Sequence, residues 1–191
     1  MGFSIFPSPL VLPKKIKCHY ESPQSLEALS NQLSKLIRHR MLKKRKDLVV
    51  LCVGTDRSTG DCLGPLVGWL LMQKNVPFPV YGTLDDPVHA GNLTEKIDLV
   101  HRYHSDPVII AVDACLGRLE SVGFITLGEG MIKPGAGVHK ELPGIGDIFF
   151  TGIVNVAGHM EFIVLQNTRL SLVMKMARLM MESIILGIKN S

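Results

Sequence analysis

Two aspartates, Asp61 and Asp113, occur where a carboxylate could activate water. Asp61 ends a glycine-punctuated turn, residues 54–60, that follows a short apolar run, and Asp113 directly follows the apolar residues VIIAV. If the two apolar runs are neighbouring strands of a parallel sheet, both carboxylates meet in one crevice at its carboxyl edge. Two carboxylates in a cleft of low dielectric constant push each other's pKa values apart, so one can hold a proton while the other is ionised. Such a pair suits general acid/base activation of a water molecule.

Each aspartate also has a purely structural interpretation. An Asp at a helix N-terminus, such as Asp61, stabilises the helix by capping it and through the helix dipole. Asp113 could be a turn residue that bonds nearby backbone amides. The loop before Asp61 is not a phosphate-binding loop, because Gly54, Gly60 and Gly64 fit neither the dinucleotide fingerprint nor the P-loop. The convergence of the two aspartates favours the catalytic interpretation.

Further metal-binding residue types follow the second predicted strand. Asp85, Asp86 and His89 lie there, and with Asp61 and Asp113 they could hold a divalent cation. Oxygen-rich sites favour Mg²⁺ or Mn²⁺ over Zn²⁺. Nothing in the spacing specifies such a site, so we predict no cofactor and no metal ligands, with a divalent metal as the alternative.

The cysteines indicate a reducing compartment. Cys18, Cys52, Cys62 and Cys115 form no CxxC pair and no zinc spacing, which predicts free thiols and a cytoplasmic protein. Cys62 falls at a predicted helix N-terminus, where a thiol pKa is lowered, so a thiol hydrolase is a rival hypothesis. Cysteines of this kind are more often small buried hydrophobic residues.

Alternating apolar segments predict an α/β protein, with three αβα layers around a mostly parallel sheet of about five strands. The predicted strands span residues 48–53, 78–83, 108–112, 122–127 and 147–155. The predicted helices begin at Ser22-Pro23 and at residues 61, 92 and 167. The predicted organisation is a single domain, with an extension and basic helix over residues 1–47 and the α/β part over 48–191.

The basic character of the chain is local. The 191 residues carry a net charge of +4, and the basic side chains concentrate between residues 38 and 46. This stretch could bind nucleic acid, but no aromatic residues alternate with the charges, and a solvated helix end is the better interpretation. No apolar run reaches the length of a membrane-spanning helix. We therefore expect no membrane or nucleic-acid partner, and the oligomeric state is open.

Several motifs resemble those of the YyaC-type sporulation proteins of spore-forming bacteria. They are VGTDRSTGDCLGP (residues 53–65), GTL and PVH (82–84 and 87–89), IAVDACLG (110–117), PGAG (134–137) and GIVNV (152–156). The resemblance extends from about residue 48 to residue 180. That family is itself similar to the germination protease of spores and, more distantly, to hydrogenase-maturation endopeptidases.

The resemblance to the germination protease assigns roles to particular residues. Its catalytic aspartates match Asp61 and Asp113, while alanines of the protease correspond to Cys62 and Cys115 here. The resemblance implies an endopeptidase in which the aspartate pair hydrolyses protein or peptide substrates, such as small acid-soluble spore proteins. The substrate-binding residues expected from it are Asp56, Thr83, Asp86, His89 and Gly135. The alternative is a catalytically inactive sporulation factor that binds a protein or nucleic-acid partner.

Overall fold

The structure is a computed structural model, and it describes residues 15–43, 47–134 and 144–191. Two sequence predictions fall wholly or partly on the remaining residues. Gly135, predicted as a substrate contact, lies outside the described residues, as do three residues of the basic stretch.

The described chain alternates strands and helices. The elements are β1 (Lys15–His19), α1 (Ser25–Lys43), β2 (Leu48–Cys52), α2 (Leu63–Gln73), β3 (Val80–Tyr81), α3 (Leu93–Tyr103), β4 (Val108–Gly117), a 3₁₀ turn (Leu119–Ser121), β5 (Phe124–Glu129), β6 (Ile148–Val156), α4 (Glu161–Gln166) and α5 (Leu170–Lys189).

The strands form one sheet in the order β1-β5-β6-β4-β2-β3. β2, β3, β4 and β6 pair in parallel, while β5 is antiparallel to both of its neighbours, β6 and β1. Among the described strands only β5 therefore runs against the rest. The predicted α/β architecture with a mostly parallel sheet is confirmed, and the sheet has six strands rather than about five.

Helices cover both faces of the sheet. One core joins α1, α2 and α5 to residues such as Val50 and Val112, which point to the same face. A smaller core on the opposite face joins Val49 and Leu51 to Leu93 and Val100 of α3. Within the described ranges, no helix is both long and apolar enough to cross a bilayer.

β1 and α1, which fall within the predicted N-terminal extension and basic helix, belong to the same sheet and larger core as the rest of the described chain. β1 pairs with β5 over its whole length, and Leu29 and Leu33 of α1 are fully buried in the larger core. The sequence pattern misses β1 because its exposed positions are Lys15 and Lys17, and no apolar run marks it. Lysines on an edge strand are a common protection against pairing with another chain.

Several element boundaries differ from the predicted ones. β3 keeps only two of the residues predicted in 78–83, because Pro79 interrupts the run and cannot donate a ladder hydrogen bond. α1 begins at Ser25, since the predicted start at Ser22 forms a turn in which the Ser22 amide bonds the His19 carbonyl. α5 begins at Leu170, and α4 precedes it as a short helix that was not predicted.

Candidate active site

Two glycines let the chain after β2 fold back closely on the sheet. Gly54 has a φ of +138°, and a Cβ there would lie 1.9 Å from the carbonyl oxygen of Asp61. A Cβ on Gly64, in the first turn of α2, would lie 2.0 Å from the carbonyl oxygen of Val53. Only residues without a side chain permit these approaches. The two glycines therefore bring Asp61 to the carboxyl end of β2.

Asp61 precedes α2 without capping it. The N-cap position is Cys62, and no side chain makes a capping hydrogen bond there. The Asp61 carboxylate instead accepts a hydrogen bond from the backbone amide of Thr55 and interacts electrostatically with His89. The capping interpretation therefore does not account for Asp61.

The apolar pattern predicts Asp113 at the end of its strand, but in the structure Asp113 lies in the middle of β4. β4 continues to Gly117 because β6 accompanies it, with Thr151 opposite Asp113. On its other side, β2 ends at Cys52, opposite Val112. Asp113 is thus the first β4 residue beyond the end of β2, which is how a mid-strand residue comes to lie in a cleft.

Burial is the largest of the effects that raise the pKa of both carboxyls. Asp113 is 8% exposed, and its pKa is raised well above the usual range by burial and then by the charge of Asp61. The pKa of Asp61 is also raised by burial, but the Thr55 amide and His89 stabilise its anion and oppose the shift. Asp113 is therefore the carboxyl that retains a proton, and Asp61 is the one that ionises first.

The two aspartates lie where two cavities adjoin. The cavities have volumes of about 400 and 520 Å³, and both are lined by Asp61, Asp113 and Leu165. The smaller one extends along β4 and β6, past Cys115 and Thr151. The larger one extends along the loop after β2 and the loop before α3. The structure thus places Asp61 and Asp113 at one cleft.

Of the four predicted substrate-binding residues that the structure describes, one lines a cavity at the aspartate pair and three do not. His89 lines the larger cavity, and its Nδ1 accepts a hydrogen bond from the Gly91 amide, so a neutral ring carries its proton on Nε2. Asp56, Thr83 and Asp86 are not among the residues that line either cavity.

A turn and an ion pair account for Thr83 and Asp86. The Thr83 hydroxyl accepts a hydrogen bond from the Asp86 amide. The Asp86 carboxylate pairs with Lys96 at 2.7 Å and its side chain is 71% exposed. These contacts hold the loop between β3 and α3 and do not bring either side chain to the aspartate pair.

Several residues that line the cleft were not identified from the sequence. Ser58 lines the larger cavity, Phe162 and Leu165 reach the cleft from α4, and Thr151 reaches it from β6. The period-two alternation of side chains along β6 could have identified Thr151, because Thr151 lies opposite Asp113 in the sheet. No local pattern marked α4, because this helix begins after Met160 in a left-handed conformation, without a capping side chain.

Burial and a neighbouring charge raise the pKa of two thiols, Cys62 and Cys115. The pKa of Cys62 is raised to about 11 by burial and then by the charge of Asp61. The pKa of Cys115 is raised to about 11 by burial and then by the charge of Asp113. A thiol needs a lowered pKa to act at neutral pH, so the geometry does not favour the rival thiol hydrolase. All four cysteines are free.

Metal-binding side chains are not gathered in the described part of the chain. Across residues 15–43, 47–134 and 144–191, no three His, Cys, Asp or Glu side chains are grouped as a metal site. Of the set considered from the sequence, Asp61, Asp113 and His89 line the larger cavity, whereas Asp86 turns to Lys96.

Comparisons with known proteins agree with the resemblances seen in the motifs. Residues 17–183 match the model of a family described as "Protein of unknown function (DUF1256)". "Uncharacterized protein YyaC" of Bacillus subtilis (strain 168) is 54% identical over 159 residues, which cover 82% of this chain and 78% of that protein. The fold is similar to that of the NiFe hydrogenase maturation protease HycI from Thermococcus kodakarensis KOD1, with a TM-score of 0.52 and 17% identity over 82% of this chain and 98% of that one.

Proposed function

Because the chain belongs to the DUF1256 family and shares a protease-like fold, we propose that it is an endopeptidase whose Asp61 and Asp113 hydrolyse a peptide bond. One observation carries the proposal. A buried carboxyl, that of Asp113, and a partly buried one, that of Asp61, line the same cleft, and their surroundings favour a proton on the first and a charge on the second. That division of labour is the one that acid/base catalysis by two carboxyls needs.

The proposed reaction assigns one role to each aspartate. Ionised Asp61 takes a proton from a water molecule, whose oxygen adds to the carbonyl carbon of the substrate, while Asp113 donates its proton to the carbonyl oxygen. The C–N bond of the tetrahedral intermediate then breaks as the proton held by Asp61 passes to the leaving nitrogen and a hydroxyl group of the intermediate returns its proton to Asp113. The products are a carboxyl group and an amine, and the pair shares one proton again.

The proposed setting is the cytoplasm of a sporulating cell or the spore core. The motifs shared with YyaC-type sporulation proteins support the sporulation context, and the four free cysteines fit a reducing compartment. The proposed substrates are proteins or peptides, with small acid-soluble spore proteins first among them. A divalent metal is not part of the proposed mechanism and is tested together with it.

Cleavage of a protein mixture tests the proposal. Wild type, Asp61→Asn, Asp113→Asn and the exposed control Asp98→Asn would be incubated with small spore proteins and a peptide library, with and without a chelator, and the products read by mass spectrometry. Each cleft substitution should lower kcat by roughly 100-fold to 10,000-fold, and Asp98→Asn should leave it unchanged. Activity lost on chelation would overturn the metal-free mechanism.

The same assay should follow a bell-shaped pH dependence. At low pH both carboxyls are protonated and no base is present, whereas at high pH both are ionised and no acid is present. Since burial raises both pKa values, the optimum should lie above the ordinary aspartate pKa of 3.8.

Identical product traces from all four proteins would refute the endopeptidase and favour the inactive sporulation factor.

A further inference from the structure

The larger cavity has an apolar wall beside the aspartate pair. Its apolar side is formed by Val53, Ala90, Phe162 and Leu165, and the rest of its lining, which includes Arg57 and His89, is mostly polar. Because both cavities meet at the pair, a peptide with its scissile bond there must place a residue from one side of that bond in each cavity. The larger cavity, of about 520 Å³, has room for a large side chain.

Phe162 is an unusually exposed aromatic side chain. It is 64% exposed, although it stands on the cleft side of α4. Exposed aromatic side chains at the rim of a pocket are common anchors for a bound partner, because they bury a large apolar area at a small cost in side-chain entropy.

α4 is held in place independently of any ligand. The Asn155 side chain donates to the carbonyl of Val164, and the amide of Gly60 donates to the carbonyl of Leu165 at 2.8 Å. The Thr168 hydroxyl also donates to the Val164 carbonyl. The apolar wall is therefore formed before a peptide arrives, which reduces the ordering that binding requires.

Ser58 adds an unsatisfied polar group to the same cavity. It is 4% exposed, and its Oγ has no hydrogen-bond partner among the described residues. A buried hydroxyl without a partner is costly, because no hydrogen bond compensates for its loss of water. Because Ser58 is among the residues that line the cavity, a peptide carbonyl or amide bound there could supply the partner that its hydroxyl lacks.

We propose that this cavity, lined by Phe162, Leu165, Val53 and Ala90, is the main specificity pocket, and that it binds a large apolar side chain next to the scissile bond while Ser58 bonds the peptide backbone. The inference rests on the proposed function for the meaning of scissile bond. It goes further by naming the substrate class: peptides with Leu, Phe or a similar residue at one side of the cleaved bond.

Binding of non-hydrolysable peptides tests this pocket without requiring catalysis. Fluorescein-labelled octapeptides with a hydroxyethylene isostere would carry Leu, Phe, Gly or Asp before the isostere, and in a second set after it. Affinity would be measured by fluorescence anisotropy. Wild type should prefer Leu or Phe over Gly and Asp by about tenfold in one of the two sets.

Variants then assign the preference to the pocket. Phe162→Ala should remove the preference, while Ile163→Ala, on the same helix but outside the cavity lining, should keep it. Ser58→Ala should weaken the binding of all the peptides by a similar factor. It should not lower the stability of the protein, because it deletes an unsatisfied hydroxyl. If Ser58 had a purely structural role, Ser58→Ala would instead lower the stability of the protein and leave its affinity for the peptides unchanged.

The outcomes separate this inference from the proposed function. Apolar preference that depends on Phe162, without cleavage of ordinary peptides, would support the pocket and refute the endopeptidase. Cleavage with no apolar preference, equal loss in Phe162→Ala and Ile163→Ala, tighter binding of Asp than of Leu, or no binding of any peptide would overturn the pocket.

Discussion

The two cleft aspartates are chemically the same residue in different surroundings. Asp113 is buried within β4, where Thr151 of the neighbouring strand β6 lies opposite it. Asp61 lies in a loop, where the Thr55 amide and the His89 ring stabilise its charge. The position of the proton is therefore decided by burial and hydrogen bonding around each carboxyl rather than by the residue type.

Asp113→Asn should change how stability depends on pH. In the unfolded chain Asp113 ionises near 3.8, whereas burial raises its pKa in the folded protein. Its contribution to stability is thus fully present below the unfolded pKa and is lost as pH rises through the folded one. Asn cannot ionise, so the variant should be more stable than wild type at about pH 8 and lose this advantage towards about pH 4.

Urea unfolding across that pH range measures the difference. Asp98→Asn, an exposed control on α3, should follow wild type at every pH. Asp61 contributes a slope of the same sign, so Asp113→Asn should retain part of the wild-type dependence. Parallel curves for Asp113→Asn and wild type would show that the folded state does not hold the additional proton at Asp113.

At the scale of elements, α2 positions the site by lying unusually close to the sheet. Gly64 faces the Val53 carbonyl, and one turn later Gly68 faces the carbonyl of Gly82. Gly82 itself has a φ of +83° and lies against the Cys52 carbonyl. Gly64 and Gly68, four residues apart on α2, therefore let the helix backbone approach the backbone of the sheet closely.

Gly68→Ala should push α2 away from the sheet. Its new Cβ would lie 2.0 Å from the Gly82 carbonyl oxygen, which is backbone and cannot move aside easily. We expect a loss of about 1–3 kcal/mol in the free energy of unfolding, together with lower activity. Chemical denaturation measures the loss. Gly158→Ala, where nothing lies within 4 Å of the added Cβ, is the control and should be nearly neutral.

At the scale of the whole molecule, the two ends of the described chain hold each other. Leu33 of α1 packs against Gly187 of α5, and the Ser34 hydroxyl donates to the Asn190 carbonyl at 2.7 Å. β1 completes one edge of the sheet beside β5. β1 and α1, the described parts of the N-terminal segment, are therefore structural parts of the fold.

Leu33→Ala should be strongly destabilising. Its side chain is fully buried between α1 and α5, so truncation leaves a cavity that costs about 2–5 kcal/mol. Leu42→Ala, on the same helix with 86% exposure, should change stability little. Thermal and urea unfolding of both variants would measure the contrast. Equal midpoints would mean that residues 48–191 fold without help from α1.

The sequence by itself determined the α/β class, the strands around VIIAV and LVVLC, and the choice of Asp61 and Asp113. It could do so because continuous apolar runs mark strands buried on both faces, and charged residues beside them are conspicuous. Only the tertiary structure decided that Asp113 lies within a strand, that α4 walls the cleft and that Asp86 turns to Lys96. Those features depend on where neighbouring strands end and on contacts between distant segments, which local patterns do not encode.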